Sequence, residues 1–260
     1  MKKYNIFFIF ILVCILLPAV AGAAGNSPAG KNVALLGDSM TWIGGDSCDK
    51  ERGWSCHFRR LASPASVRVY ARSGATWTNA PGTKVDTVAF YDVLHDDNVL
   101  YTQAVRLLAD VGSGKISTPD IVILYAGAND AWFSAKRNGI FVPGKMTADG
   151  SLPVSLAGSV SAVCGMIRDR LPGTRMILIT PAQMTKAPAS AVERVSAVID
   201  SVGQAMGIEV IRTDRNGPIK ASVERGRPRR LTSDGIHTNP EGAAALAHFF
   251  IEEIEKTQSN

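Results

Sequence analysis

The sequence has little cysteine: four residues in 260, with no Cys-x-x-Cys pair among them. That excludes a disulfide-dense scaffold, and since His-Glu-x-x-His is missing too, no motif suggests a metal, and no cofactor is expected. Gly-x-Ser-x-Gly is also absent, so the nucleophile elbow of an α/β-hydrolase is not supported. Charge is sparse, at 20% of residues, and the formal net charge of +5 is too mild to argue for a nucleic-acid partner. No internal repeat is evident. What the chain does have is apolar residues, 46% of the total, enough for the core of one sizeable α/β domain.

One apolar run stands apart at the start. Lys2 and Lys3 precede the stretch from Asn5 to Pro18, which is too short for a comfortable membrane span, and small residues follow at Ala19 to Ala23. Residues 1–23 are therefore expected to be a secretory signal peptide, residues 24–260 one domain, and the location secreted or periplasmic. Losing Lys2 and Lys3 with no acid takes the formal charge from +5 to +3. No stable membrane span is expected once the signal is gone. Cys14 leaves with it, Cys48 and Cys56 become a candidate disulfide in an oxidising compartment, and Cys164 sits in an apolar helical pattern as a buried small hydrophobe.

The rest alternates strand and helix. Short apolar runs predict parallel strands at about Asn32 to Leu36, Val67 to Ala71, Asp120 to Tyr125, Met176 to Thr180 and Ile208 to Ile211. Between them, helical spacing is carried by Trp54, Phe58 and Leu61, then Ala104 to Val111, then Leu156 to Ile167. A further helix runs from Val192 to Met206 and is closed by Gly207. Asn239, Pro240 and Glu241 announce a last helix as N-cap, first position and first turn. Residues 131–153 hold no regular period and predict a long loop. Strand runs separated by helices rather than by hairpin turns predict a parallel sheet with helices on both faces.

Several strand ends carry chemistry. The run Val33 to Leu36 breaks at Gly37-Asp38-Ser39, which puts a hydroxyl at the carboxyl edge of a strand, where open α/β sheets bind ligands. A serine hydroxyl is a poor nucleophile without a base. The loop Ser233-Asp234-Gly235-Ile236-His237 can supply one, the Asp234 carboxylate holding one imidazole nitrogen of His237 so that the other faces outward. Alone, Asp-x-x-His also fits a solvated loop. Acyl transfer further needs donors for a developing oxyanion, and the backbone N–H groups of Ser39 and Gly74 with the Asn129 side-chain amide are the candidates. Gly74 alone fits an ordinary turn and Asn129 an Asx turn; the coincidence of all of them is what carries weight. Asp38 and Asp130 are read as holding turns through backbone hydrogen bonds. His57, His95 and His248 have no partner pattern and are read as surface or packing residues.

Gly37-Asp38-Ser39, Gly74, Gly127-Ala128-Asn129-Asp130 and Asp234-Gly235-Ile236-His237 together resemble the four signature blocks of the SGNH hydrolases, or GDSL-like lipases and esterases. The resemblance implies a three-layer α/β/α sandwich around a mainly parallel five-stranded sheet, a flavodoxin-like arrangement. It also implies a serine esterase with Ser39 as nucleophile, His237 as base, Asp234 as its orienter, and Ser39, Gly74 and Asn129 as oxyanion hole. The first block departs from the family pattern, with Met40 where leucine is usual and Gly44-Gly45 interrupting the following helix.

Substrate is less legible. Trp42, Trp77 and Trp132 each come within three residues of a site motif and are candidate stacking surfaces for sugar rings, though packing under loops explains them equally. The expected function is a secreted serine ester hydrolase removing acetyl or other short acyl groups from a carbohydrate, acting on a small-molecule or glycan ester. The alternatives are a lysophospholipase or broad carboxylesterase, an acyltransferase, and a non-catalytic glycan-binding protein. Lys220, Arg225, Arg227, Arg229 and Arg230 would favour an anionic substrate if their loop folded over the crevice, and otherwise form a solvated face.

Overall fold

The computed structural model describes residues 26–43, 50–84, 95–136 and 139–256. The expected signal peptide at 1–23 and Cys48, one half of the candidate disulfide, lie outside the described residues. In chain order the elements are β1 (Asn32–Gly37), α1 (Ser39–Trp42), α2 (Trp54–Ala62), β2 (Ser66–Val69), α3 (Leu100–Gly112), β3 (Ile121–Tyr125) and α4 (Ala128–Phe133). Then follow α5 (Leu156–Arg170), β4 (Arg175–Ile179), α6 (Ala189–Met206), β5 (Glu209–Ile211), α7 (Thr213–Asn216), α8 (Ala221–Glu224) and α9 (Pro240–Lys256).

The five strands form one parallel sheet in the order β2-β1-β3-β4-β5. β1, β3 and β4 are apolar almost throughout because both faces are covered. Register pairs Leu124 with Leu178 and Tyr125 with Ile179, so neighbouring residues of β3 point to opposite layers. Tyr125 meets Trp54 of α2 and Phe250 of α9, with ring centroids 6.2 and 5.2 Å away, which places those two helices on one face. Leu178 lies against α6 at Gly203, on the other face, where α3, α5 and α6 pack in a row. The result is the expected three-layer α/β/α sandwich.

Local signals explain most boundaries. Ser155 caps α5 by accepting the Gly158 N–H, Asn239 accepts the N–H of Gly242 at 2.8 Å to cap α9, and Gly207 closes α6. Three details differ from the sequence reading. Leu61 is exposed, and the buried stripe of α2 is instead Trp54, Ser55, Cys56, Phe58 and Ala62, because the helix packs on the aromatic rings of β3 and α9. The Ser39 turn winds into the single helical turn α1. Residues 128–133 extend the Asn129 turn into α4, and the described residues between 134 and 153 lie in turns and bends with one antiparallel bridge, Met146 to Pro153. No helix among the described residues is long and apolar enough to cross a membrane.

Strand order positions the site. The chain leaves β1 in one direction to β2 and later returns to the other side of β1 as β3, so the carboxyl ends of β1 and β3 flank the point where the order reverses. Crevices in open α/β sheets form there.

Candidate active site

Ser39 opens α1 directly after β1. Gly37 must be glycine at this point, because a Cβ would collide with the carbonyl oxygen of Tyr125 on β3. Its backbone is gripped from the side by Gln103 of α3, whose Oε1 accepts the Gly37 N–H at 2.8 Å while Nε2 donates to the Gly37 carbonyl at 2.9 Å. Asp38 caps the turn, accepting the N–H of Met40 at 3.0 Å and that of Ala128 from the β3 side. One buried carboxyl thus ties the Ser39 turn to the Asn129 turn. Burial pushes that carboxyl up to about 7; nearby Asp130 adds to the rise, and the two N–H donors and His237 oppose it.

The loop before α9 brings the partners. His237 Nε2 lies 2.9 Å from Ser39 Oγ, and His237 Nδ1 lies 2.7 Å from Asp234 Oδ2. The other Asp234 oxygen accepts the backbone N–H groups of Ile236 and His237 at 2.9 and 2.8 Å, so the carboxylate is fixed by its own loop. Burial alone would raise the Asp234 carboxyl, but the hydrogen bonds from the His237 ring and these two N–H groups outweigh it and hold it below its ordinary value. The loop itself is shut by Ser233, whose N–H and hydroxyl both donate to the His237 carbonyl. Such a chain of hydroxyl, imidazole and carboxylate can pass a proton from the serine to the ring and stabilise the charge that results.

Ser39, Gly74, Asn129 and His237 line one cavity of about 190 Å³. Gly74 adopts φ +78°, a left-handed conformation in which its N–H is unobstructed by a side chain. Asn129 donates one amide hydrogen to the Ala75 carbonyl at 2.9 Å, which holds its side chain beside the Gly74 turn. Asp130, fully buried, accepts the N–H of Trp77 at 2.9 Å, and the N–H and hydroxyl of Thr78 at 3.0 and 2.8 Å. Asp38 and Asp130 therefore hold turns, as read from the sequence.

The three tryptophans separate. Trp132 is 42% exposed, lines the cavity and stacks on Phe133 with centroids 5.4 Å apart. Trp42 is exposed but is not part of the cavity lining, and the Lys50 ammonium sits 5.8 Å from its ring centre. Trp77 is fully buried, so its reading as a substrate-contacting residue is corrected. Its backbone is drawn inward by Asp130 and its ring joins the core.

Other residues went unnoticed in the sequence. Buried Glu224 accepts the N–H groups of Leu231 and Thr232 and the Thr232 hydroxyl, anchoring the start of the 233–237 loop; a lone acid inside a basic stretch was its only signal. Gln103 looked like a polar helix position. His95, read as surface or packing, lines the cavity with Asp96. The basic stretch does not fold over the crevice: Lys220 and Arg225 to Arg230 contribute nothing to the described cavity wall. Cys56 and Cys164 are both buried, and burial pushes the Cys164 thiol up to about 12, fitting its reading as a small hydrophobe. No cluster of His, Cys, Asp and Glu suited to a metal ion occurs among the described residues.

Comparison with known proteins agrees with this geometry. A family model described as the GDSL-like lipase/acylhydrolase family matches residues 35–245. No curated protein sequence gives a significant match. Among solved structures, a Lactobacillus plantarum protein is similar at 14% identity and TM-score 0.61, covering 86% of this chain and 96% of its own. An acetyl xylan esterase, AlAXEase, is 17% identical with TM-score 0.54, covering 87% and 99%. An acetylxylan esterase from Geobacillus stearothermophilus, in a catalytic-mutant form, is 15% identical with TM-score 0.53, covering 87% and 94%. At these identities the likeness extends to the fold.

Proposed function

Since the chain belongs to the GDSL-like lipase/acylhydrolase family and is an ester-hydrolysing enzyme, we propose that it removes acetyl or other short acyl groups from a carbohydrate through Ser39, His237 and Asp234. The observation that carries this reading is the unbroken relay from Ser39 Oγ through His237 to Asp234 at 2.9 and 2.7 Å, opening on one small cavity.

Ser39 Oγ attacks the ester carbonyl carbon as its proton passes to His237 Nε2. The carbonyl oxygen becomes an oxyanion, held by the N–H groups of Ser39 and Gly74 and the second amide hydrogen of Asn129. Asp234 stabilises the imidazolium and keeps its ring oriented. Collapse breaks the bond to the sugar oxygen, which takes the proton from His237 and departs as a free hydroxyl, leaving an acyl-serine. Water, deprotonated by the same imidazole, then releases the carboxylate and regenerates the serine.

Cavity size favours the short acyl group. About 190 Å³ is below the roughly 300–1,000 Å³ that drug-sized ligands occupy, and a long fatty chain would lie mostly outside. The exposed Trp132 face favours a sugar. An export signal at residues 1–23 would deliver the enzyme outside the cytoplasm, where acylated polysaccharides are met.

The test is acetate and fatty-acid release from acetylated oligosaccharides, lysophospholipids and short aryl esters by the protein and its Ser39→Ala variant. Ser39-dependent acetate from the oligosaccharides is expected, lost by roughly 10⁴-fold or more in the variant. Fatty acid from the lipids with none from the sugars would replace the carbohydrate reading with a lysophospholipase.

A further inference from the structure

Asp96 stands apart from the other acids around the cavity. Its backbone is pinned: the carbonyl accepts the Thr83 hydroxyl at 2.7 Å, and the segment it belongs to is sewn to the Gly74 turn. Asn98 Nδ2 donates to the Ser73 carbonyl at 2.7 Å, the Thr76 N–H to the Asn98 carbonyl at 3.2 Å, and the Leu100 N–H to the Thr76 carbonyl at 3.0 Å. Neighbouring Asp97 is buried and occupied, accepting the Lys84 N–H and lying 3.6 Å from His95 Nδ1. The Asp96 carboxylate, exposed and lining the same cavity as Ser39 and His237, makes no hydrogen bond or ion pair with a described residue. On a segment anchored through its backbone, an exposed acceptor thus stands at the cavity wall, one of its carboxylate oxygens lying beside Gly82.

The rest of the wall sharpens what that acceptor meets. The described lining contains no lysine or arginine; Asp96 is its one carboxylate, and His95 and His237 are its basic groups. Its apolar part includes the stacked Trp132 and Phe133 rings. A carboxylate can accept hydrogen bonds from two hydroxyls of one ring, and charge-assisted bonds of this kind are about twice as strong as neutral ones. The same carboxylate repels a uronate or a phosphate.

We infer that Asp96 is a specificity-determining residue: it accepts hydroxyl hydrogens of a neutral sugar whose ring lies against Trp132, and it turns away esters of anionic alcohols. The inference rests on the carbohydrate-ester reading of the site. It commits the leaving group to a neutral, hydroxyl-bearing ring rather than a uronic acid or a phosphate head group, although the chain as a whole is basic.

The experiment measures kcat/KM for three acetyl esters: a neutral oligosaccharide, a uronic-acid oligosaccharide and 4-nitrophenyl acetate. It uses the wild type, Ser39→Ala, Asp96→Ala and Asp96→Lys, with thermal melting to verify that each variant folds. Asp96→Ala should lower the neutral-sugar value about tenfold relative to the aryl ester, through KM, equivalent to about 1.4 kcal/mol. Asp96→Lys should move the ratio of neutral to uronate turnover by about 100-fold towards the uronate, and added salt should shrink that shift. If both ratios stay at the wild-type value while turnover still depends on Ser39, Asp96 selects nothing and the inference falls alone. Turnover of the aryl ester with neither sugar ester accepted by the wild type overturns the carbohydrate reading and the inference together. No Ser39-dependent turnover of any ester overturns the catalytic reading as well.

Discussion

Trp77 and Trp132 occupy matching places in the sequence, each just beyond a strand-end turn that carries a site residue, yet one is fully buried and the other 42% exposed. The difference lies in what each turn is bonded to. The Trp77 and Thr78 backbone is held by the buried Asp130 carboxylate, so the ring beside it is drawn into the core. Trp132 lies on α4 beyond that anchor, and stacking on Phe133 leaves it facing the cavity. Two regions therefore share the site: a buried polar foundation of Asp38, Asp130 and Gln103 that fixes the turns, and an open rim of Trp132 and Asp96 at the cavity wall. Foundation residues should govern stability and rim residues selectivity.

Removing Asp130 tests that division most severely. Asp130→Ala strands three buried donors, and a loss of order 5 kcal/mol is expected in denaturant unfolding. A variant with near-wild-type stability would show that the Trp77 turn holds itself. Trp77→Ala should cost about 3–5 kcal/mol as a large core deletion. Its counterpart Trp132→Ala belongs at the other end of the scale.

Asp38 sharpens the comparison through pH. Its folded carboxyl titrates at about 7 against 3.8 as the ordinary value, so the folded state binds the proton more tightly than the unfolded state does. Its contribution to stability is then greatest below pH 4 and declines as pH rises from about 4 to 7. The melting temperature at pH 8 relative to pH 5 should accordingly be lower in the wild type than in Asp38→Asn, where this dependence is gone. An identical pH profile in the two proteins would mean that the carboxyl is no harder to ionise inside the fold than outside it. The smallest effect on stability is that of Trp132→Ala, within about 0.5 kcal/mol, because the ring is largely on the surface. Its kcat/KM for the sugar ester should nonetheless fall. A stability loss as large as that of Trp77→Ala would erase the distinction between foundation and rim.

How legible all this was differed by kind of signal. Strands β1, β3 and β4 were readable because burial on both faces demands continuous apolar runs, and α6 and α9 because period and caps agree. Leu61 misled because apolar spacing records only which positions fit one stripe, and the helix turned a different one towards Phe250 and Tyr125. Glu224 and Gln103 were hidden because each serves backbone groups of a distant segment, and such a partner leaves no local pattern.

The α/β class, the parallel sheet and the residue types at the strand ends follow from local patterns, since burial, turn chemistry and helix capping act over a few neighbouring residues. Which of those ends meet is a matter of how the strands are ordered in the sheet. Ser39 and His237 are separated by 198 positions and lie 2.9 Å apart because the strand order reverses at β1 and β3 and the loop before α9 returns over that edge. Burial of Trp77, exposure of Trp132 and the place of Asp96 in the cavity wall are likewise properties of surfaces brought together from distant segments, which no short stretch of chain encodes.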